Sequence, residues 1–257
     1  MLLALLSVAC LPAEDTPTPS TDTAVYDASA DWVAGAGPMA SVSGQAFVFG
    51  PAPEDLSLTG ATVYAVEAPE HSTTVGEGGT FALEVPSGAP LTFRVTQDGF
   101  AAVDSAAIFI EPDGLTLLGF QVPADTVVSA LALAAGIEMS DERCQIATTV
   151  SSEASPPYGA AGVGEPGATA AIAPALPDDA VGPVYFDYLS ESLILPAPDL
   201  SATTIDGGVL WGNVPPGEYV ISAEKEGTSF TAPVIRCRAG TLVNASPPYG
   251  IEFDGND

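Results

Sequence analysis

The sequence predicts an all-β protein: two β-sandwiches in tandem, joined by a short helix. Three observations carry this reading. Gly (26) and Pro (24) are abundant in the 257 residues. Between them, Val, Thr, Phe and Tyr gather in short runs, the pattern of strands joined by turns. Apolar residues alternate with others, as in Phe81, Leu83 and Val85 or Tyr219, Ile221 and Ala223, which puts each set on one face of a strand. A block of sequence also occurs twice.

The repeat begins with T-T-V-G-E-G-G-T-F-A-L-E-V-P-S-G at 73–88 and returns as T-T-I-D-G-G-V-L-W-G-N-V-P-P-G at 203–217. Each copy has a Gly-rich turn, a strand, a V-P-x-G turn and a further strand. Glu77-Gly78-Gly79 and Asp206-Gly207-Gly208 supply positive φ for hairpin turns. Proline then glycine reverses the chain after each strand. Upstream, Gly60-Ala61-Thr62-Val63 matches Gly167-Ala168-Thr169-Ala170. Between the copies, residues 124–138 read as a linker helix, with Asp125 or Thr126 as its cap and Gly136 as its end. The apolar character of this helix requires it to pack on a sandwich.

These residues resemble the carboxypeptidase regulatory-like domain, a small transthyretin-like β-sandwich. Copy one supplies Gly44, Gly60-Ala61-Thr62-Val63 and Gly79-Thr80-Phe81. Copy two supplies Pro216-Gly217-Glu218-Tyr219-Val220-Ile221. Copy one departs at Ala89-Pro90, where the family has Tyr, and copy two has Ala170 for Val and Leu210-Trp211 in its hairpin. The resemblance covers 40–123 and 142–253. It implies two seven-stranded sandwiches, at 40–123 and 139–257, and a non-catalytic accessory or adhesion-like module that is not itself a peptidase.

The N-terminus has its own signal. Residues 2–9 are apolar and end in Ala9 before Cys10. This resembles the end of a bacterial lipoprotein signal, although the Leu usual three residues before the cysteine is Ser7 here. The run is too short to span a bilayer, which takes about 20 residues. The resemblance implies a lipid on Cys10, a membrane partner reached through that lipid, and a place in the bacterial cell envelope, at the outer membrane or surface. Residues 11–39 begin rich in Thr, Pro and acid, and read as a flexible tether.

An odd cysteine count leaves one thiol to be explained separately. With Cys10 lipidated, Cys144 and Cys237 remain, either bridged or as two buried thiols. In transthyretin-like sandwiches the first and last strands are neighbours, which implies that a bridge is within reach. Export favours the bridge.

With 33 acids against 5 bases, the net charge is −28. Nucleic-acid binding needs Lys and Arg to neutralise phosphate, so this class is excluded. Two explanations of the acidity stay open: a salt-adapted surface or cation binding. The calcium-loop spacing is absent, and Asp254-Gly255-Asn256-Asp257 is the nearest approach to it. The single His71 stands beside Ser72, and adjacent residues on an extended loop point apart. No catalytic set, metal site or cofactor is expected.

Copy two carries an insert, roughly 174–198, with Tyr185, Phe186 and Tyr188 near Asp178 and Asp179. Aromatics beside carboxylates suit a glycan or protein ligand. The alternative is an added edge strand, Pro183 to Leu189, whose rings complete the core. The expected function is therefore a non-catalytic envelope accessory or adhesion-like lipoprotein. The second reading, a carbohydrate-binding module of a surface polymer-handling system, requires exposed rings at 185, 186 or 188.

Overall fold

The computed structural model describes residues 32–50, 57–152, 163–190, 193–245 and 247–254. Cys10 and residues 11–31 of the expected tether lie outside the described residues. The protein is all-β, with one α-helix among the described residues.

Copy one comprises β1 (Met39–Phe49), β2 (Thr62–Ala65), β3 (Ala68–Thr74), β4 (Thr80–Pro86), β5 (Pro90–Leu91), β6 (Phe93–Thr96), β7 (Val103–Asp104), β8 (Ile108–Phe109) and β9 (Leu115–Pro123). β1 pairs antiparallel with β4 and parallel with β9. The facing layer runs β7-β6-β2-β3. Period two is explicit in β4: Phe81, Leu83 and Val85 are buried, whereas Thr80, Ala82 and Glu84 are exposed. These three join Val63, Phe93, Val95 and Phe120 in one core.

Copy two repeats the plan. It comprises β10 (Cys144–Thr149), β11 (Thr169–Ala173), β12 (Val181–Ser190), β13 (Leu193–Ala197), β14 (Gly208–Val214), β15 (Gly217–Glu224), β16 (Val234–Cys237) and β17 (Leu242–Ala245). β10 pairs antiparallel with β14 and parallel with β17, and β11-β15-β16 form the facing layer. Trp211, Ile146, Ile221 and Ile235 are fully buried between the layers.

The number of strand segments departs from seven per copy. In copy one the excess comes from interruption, because β5 and β6 flank Thr92, and β7 and β8 flank residues 105–107. In copy two it comes from the insert. The expected single edge strand is a hairpin, β12 paired with β13, and β13 forms the sheet edge.

The repeat is also out of register with its Thr-Thr landmarks. The Gly60 amide donates to the Val75 carbonyl, and the Val75 amide to Ala61. In copy two the Gly167 amide donates to Thr203, and Thr203 to Ala168. Val75 therefore matches Thr203, two residues from its sequence partner Ile205. On this register Gly79 (φ 79°) matches Gly207 (φ 72°). A Cβ at either would overlap a carbonyl oxygen, of Ala46 or Val150 respectively, so both positions require glycine. A bulge at Asn213 (φ 53°) in β14 absorbs the difference in length.

The disulfide joins Cys144 and Cys237, with Cα atoms 5.8 Å apart. The sequence reading set Cys237 beside the first strand, near the last one. In the fold the last strand is β17, and Cys237 lies on β16 in the opposite layer. The bridge thus crosses the core from sheet to sheet.

The helix α1 (Asp125–Ala134) follows β9 directly. Its N-cap is Ala124, with no side-chain cap, rather than Asp125 or Thr126. Asp125 sits in the first turn, where a carboxylate complements the helix dipole. Gly136 (φ 70°) ends the helix. Its amide donates to Leu133 and that of Ile137 to Ala132, the pair of bonds of a Schellman motif. Ala132, Ala135 and Ile137 cover Val184, Phe186 and Leu210 on the outer face of copy two. This cover explains why β14 is apolar on both faces: Val209 and Trp211 turn to the inner core, and Leu210 lies under the helix.

Candidate functional site

The two sandwiches meet edge to edge. β17 of copy two pairs in parallel with β7 of copy one, matching Leu242 with Val103 and Val243 with Asp104. The result is one nine-stranded sheet, β13-β12-β14-β10-β17-β7-β6-β2-β3. A parallel ladder of two residue pairs specifies its register weakly. The side chains around it supply what the ladder lacks.

Arg236 and Arg238 flank Cys237. Successive residues of a strand face opposite ways, so the half-cystine turns into the core and both guanidinium groups turn out toward copy one. Arg94 is placed in the same manner, between the buried Phe93 and Val95 of β6. Three of the five basic residues in the chain therefore converge on the junction.

Their partners are carboxylates. Arg94 holds Asp104 in two bonds, Nε to Oδ1 at 2.5 Å and Nη2 to Oδ2 at 2.8 Å. Arg238 reaches Asp104 Oδ2 at 3.4 Å and Glu67 Oε1 at 2.7 Å. Arg236 donates to the same Glu67 oxygen at 2.8 Å, to the Pro90 carbonyl at 3.0 Å and to Glu218 at 3.3 Å. The other Glu67 oxygen accepts the Thr92 amide at 2.7 Å. The Asp104 and Glu67 side chains are 0% and 1% exposed. Three guanidinium and three carboxylate groups leave the cluster neutral, the condition under which such charges tolerate burial. Burial works against the Arg94 charge, but the hydrogen bond and attraction of Asp104, aided by Tyr64, prevail and raise its pKa above the usual guanidinium value.

The cluster has a lid. The Trp32 ring lies 4.7 Å from the Arg238 guanidinium carbon and 5.3 Å from that of Arg236, within cation–π range. Downstream, Ala34 packs on the core of copy one, and the Gly37 amide donates to Ser87. The described end of the segment read as a tether is thus docked. Further contacts between the copies are the Ala107 amide with the Val234 carbonyl, Asn244 with Gln121, and Tyr249 with Thr116. The remaining bases pair within copy two, Arg143 with Asp179 and Lys225 with Glu165.

The sequence reading missed this site. The available signal was scarcity: bases this rare, two of them flanking a half-cystine on one strand face, are placed for partners. The partner Glu67, in the turn between β2 and β3, carries no sequence signature.

The residues singled out in the insert lie elsewhere. Tyr185 is buried in the inner core of copy two, and its hydroxyl oxygen accepts the Ala170 amide at 3.0 Å. Phe186 is buried under α1. Tyr188 is half-buried. Neither the 185 nor the 186 ring is exposed on the surface, so these two do not meet the requirement of the carbohydrate-binding reading. His71 on β3 lies 3.8 Å from the carboxylate of the exposed Glu70. No group of three or more metal-ligating side chains converges among the described residues.

One carboxylate stands apart. Burial pushes the Asp206 pKa up to about 6, against the opposing hydrogen bond from the Gly208 amide. A carboxyl group with its folded pKa raised stabilises the fold below its unfolded pKa, near 3.8, and that contribution is lost as pH rises through about 6. The loss is worth about 3 kcal/mol. Asp206→Asn is expected to remove most of this fall, which urea unfolding at pH 4 and pH 7 would measure; Glu252, also raised by burial, leaves a residual slope of the same sign.

No family model and no curated protein matches the chain. Among solved structures it is similar to the Bacillus anthracis TIE protein, at 11% identity and TM-score 0.25, over 80% of this chain and 33% of that one. It is similar to the shaft pilin SpaA of Lactobacillus rhamnosus GG, at 9% identity and TM-score 0.24, over 84% and 96%. It is also similar to a streptococcal ancillary pilin, at 9% and 0.26, over 84% and 69%. The chain spans about a third of the TIE protein. Likenesses at these scores carry no argument about function.

Proposed function

We propose that this chain is a non-catalytic, adhesion-like lipoprotein of the bacterial cell envelope. It carries two carboxypeptidase regulatory-like sandwiches as one rigid body on a tether from Cys10. The observation that supports this reading is the junction. A shared sheet, a neutral buried charge cluster and a docked Trp32 are devices that fix two modules relative to each other. Such stiffness suits presentation of a surface at a distance from a membrane, with a protein or glycan as its ligand. Trp32 stacks on Arg236 and Arg238 of copy two and Ala34 packs on copy one, so a pull along the proposed tether would bear on both sandwiches.

Lipidation is tested on the protein extracted from the cells that make it. Mass spectrometry is expected to find an N-terminal peptide beginning at Cys10 and bearing a diacylglyceryl group. A peptide that runs through an unmodified Cys10 would contradict the anchor.

A further inference from the structure

A cavity of about 670 Å³ lies between the two sandwiches on the side away from the charge cluster. Its size falls within the range of small-molecule sites, which favour domain interfaces. Three surfaces enclose it. The end of β1 in copy one contributes Phe47 and Phe49, α1 contributes Leu131, and the outer face of copy two contributes Phe186 and Ile194. The lining is mainly apolar. Among the described lining residues one side chain is ionisable, Asp206, and none is basic.

Asp206 stands at the hairpin turn before β14. Its Oδ2 accepts the Gly208 amide at 3.1 Å. No described residue donates to Oδ1. The turn therefore employs half of the carboxylate and leaves the other half available at an apolar wall.

We propose that this cavity binds a small amphiphile with an apolar body and a protonated amine, the amine seated at Asp206. Charge decides the headgroup. A carboxylate beside apolar walls attracts a cation far more strongly than it would in water. The net charge of −28 draws cations in and repels anionic amphiphiles such as fatty acids. An uncharged ligand would cover Asp206 without compensating it, which is costly. The apolar body replaces water along Phe47, Leu131 and Phe186. The site is independent of the tether and of any lipid on Cys10.

The test uses the full chain with Cys10→Ser, prepared without detergent. Octylamine, octanol and octanoate are titrated by calorimetry, with native mass spectrometry for stoichiometry. Octylamine is expected to bind one to one, at least 10-fold more tightly than octanol and more tightly still than octanoate. Asp206→Asn is expected to lower octylamine to the level of octanol, and Leu131→Trp, which puts an indole into the cavity wall and narrows the apolar site, to weaken binding of all three. Equal binding of the three probes, no binding of octylamine, or binding unchanged by Leu131→Trp would each overturn the proposal. An amine adsorbed on the acidic surface would bind in multiple copies and survive both substitutions, which also overturns it.

Discussion

Glu67→Gln is expected to lower the unfolding free energy by about 3–5 kcal/mol, the cost of removing one partner from a buried ion network. The side chain is 1% exposed, and one of its oxygens is shared by Arg236 and Arg238. Glutamine keeps the shape and can still accept the Thr92 amide. It withdraws the charge, leaving three arginines against two carboxylates. Arg236 then retains Glu218 at 3.3 Å, and Arg238 retains Asp104 at 3.4 Å, both longer contacts. Glu218→Gln is the control. That side chain is 30% exposed, and its loss is expected to cost about 1 kcal/mol or less. Urea unfolding of both variants measures the contrast. Because the lost charge lies between the copies, the Glu67→Gln transition is also expected to broaden or split as the sandwiches unfold separately. Equal effects of the two substitutions would deny the cluster its role.

Reduction of the Cys144–Cys237 bridge is expected to cost copy two about 4–5 kcal/mol, from the chain entropy released by opening a loop of 93 residues. The effect falls on copy two. Copy one has buried Ala40 and Ile110 at the matching positions of its two layers, and stands on its apolar core. Trp211, buried in the centre of copy two, reports on that unfolding. In a Trp32→Phe background it is the only tryptophan, since the chain has two. Urea titrations followed by its fluorescence with and without dithiothreitol measure the difference. An unchanged midpoint would mean that the two layers of copy two hold together without their staple.

The fold class and the doubled plan were legible because alternation and turn chemistry are local. Phe81, Leu83 and Val85 announce a strand face wherever they occur. The details that failed depend on contacts distant in sequence. The Thr-Thr landmarks misaligned the copies because the conserved feature is a glycine under a facing carbonyl, Gly79 under Ala46 and Gly207 under Val150. Identity of side chains does not record that relation. The insert read as a single edge strand because its second strand, Leu193–Ala197, carries Pro196 and little alternation. The rings at 185 and 186 both proved buried because α1 covers the outer face of the sheet, a packing that the composition of the helix suggests without naming its target. The junction was illegible for a stronger reason. Glu67 and Arg236 are 169 residues apart, and nothing in the local pattern of either specifies the other.

In the proposed function the two sandwiches form one rigid body through the β7–β17 ladder and its charge cluster. Nitrogen-15 relaxation and residual dipolar couplings on the protein test this most directly. Amides of both copies are expected to fit one rotational diffusion tensor and one alignment tensor, with the Val103–Asp104 and Leu242–Val243 segments as ordered as the strands around them. Separate tensors for the two copies would contradict the account.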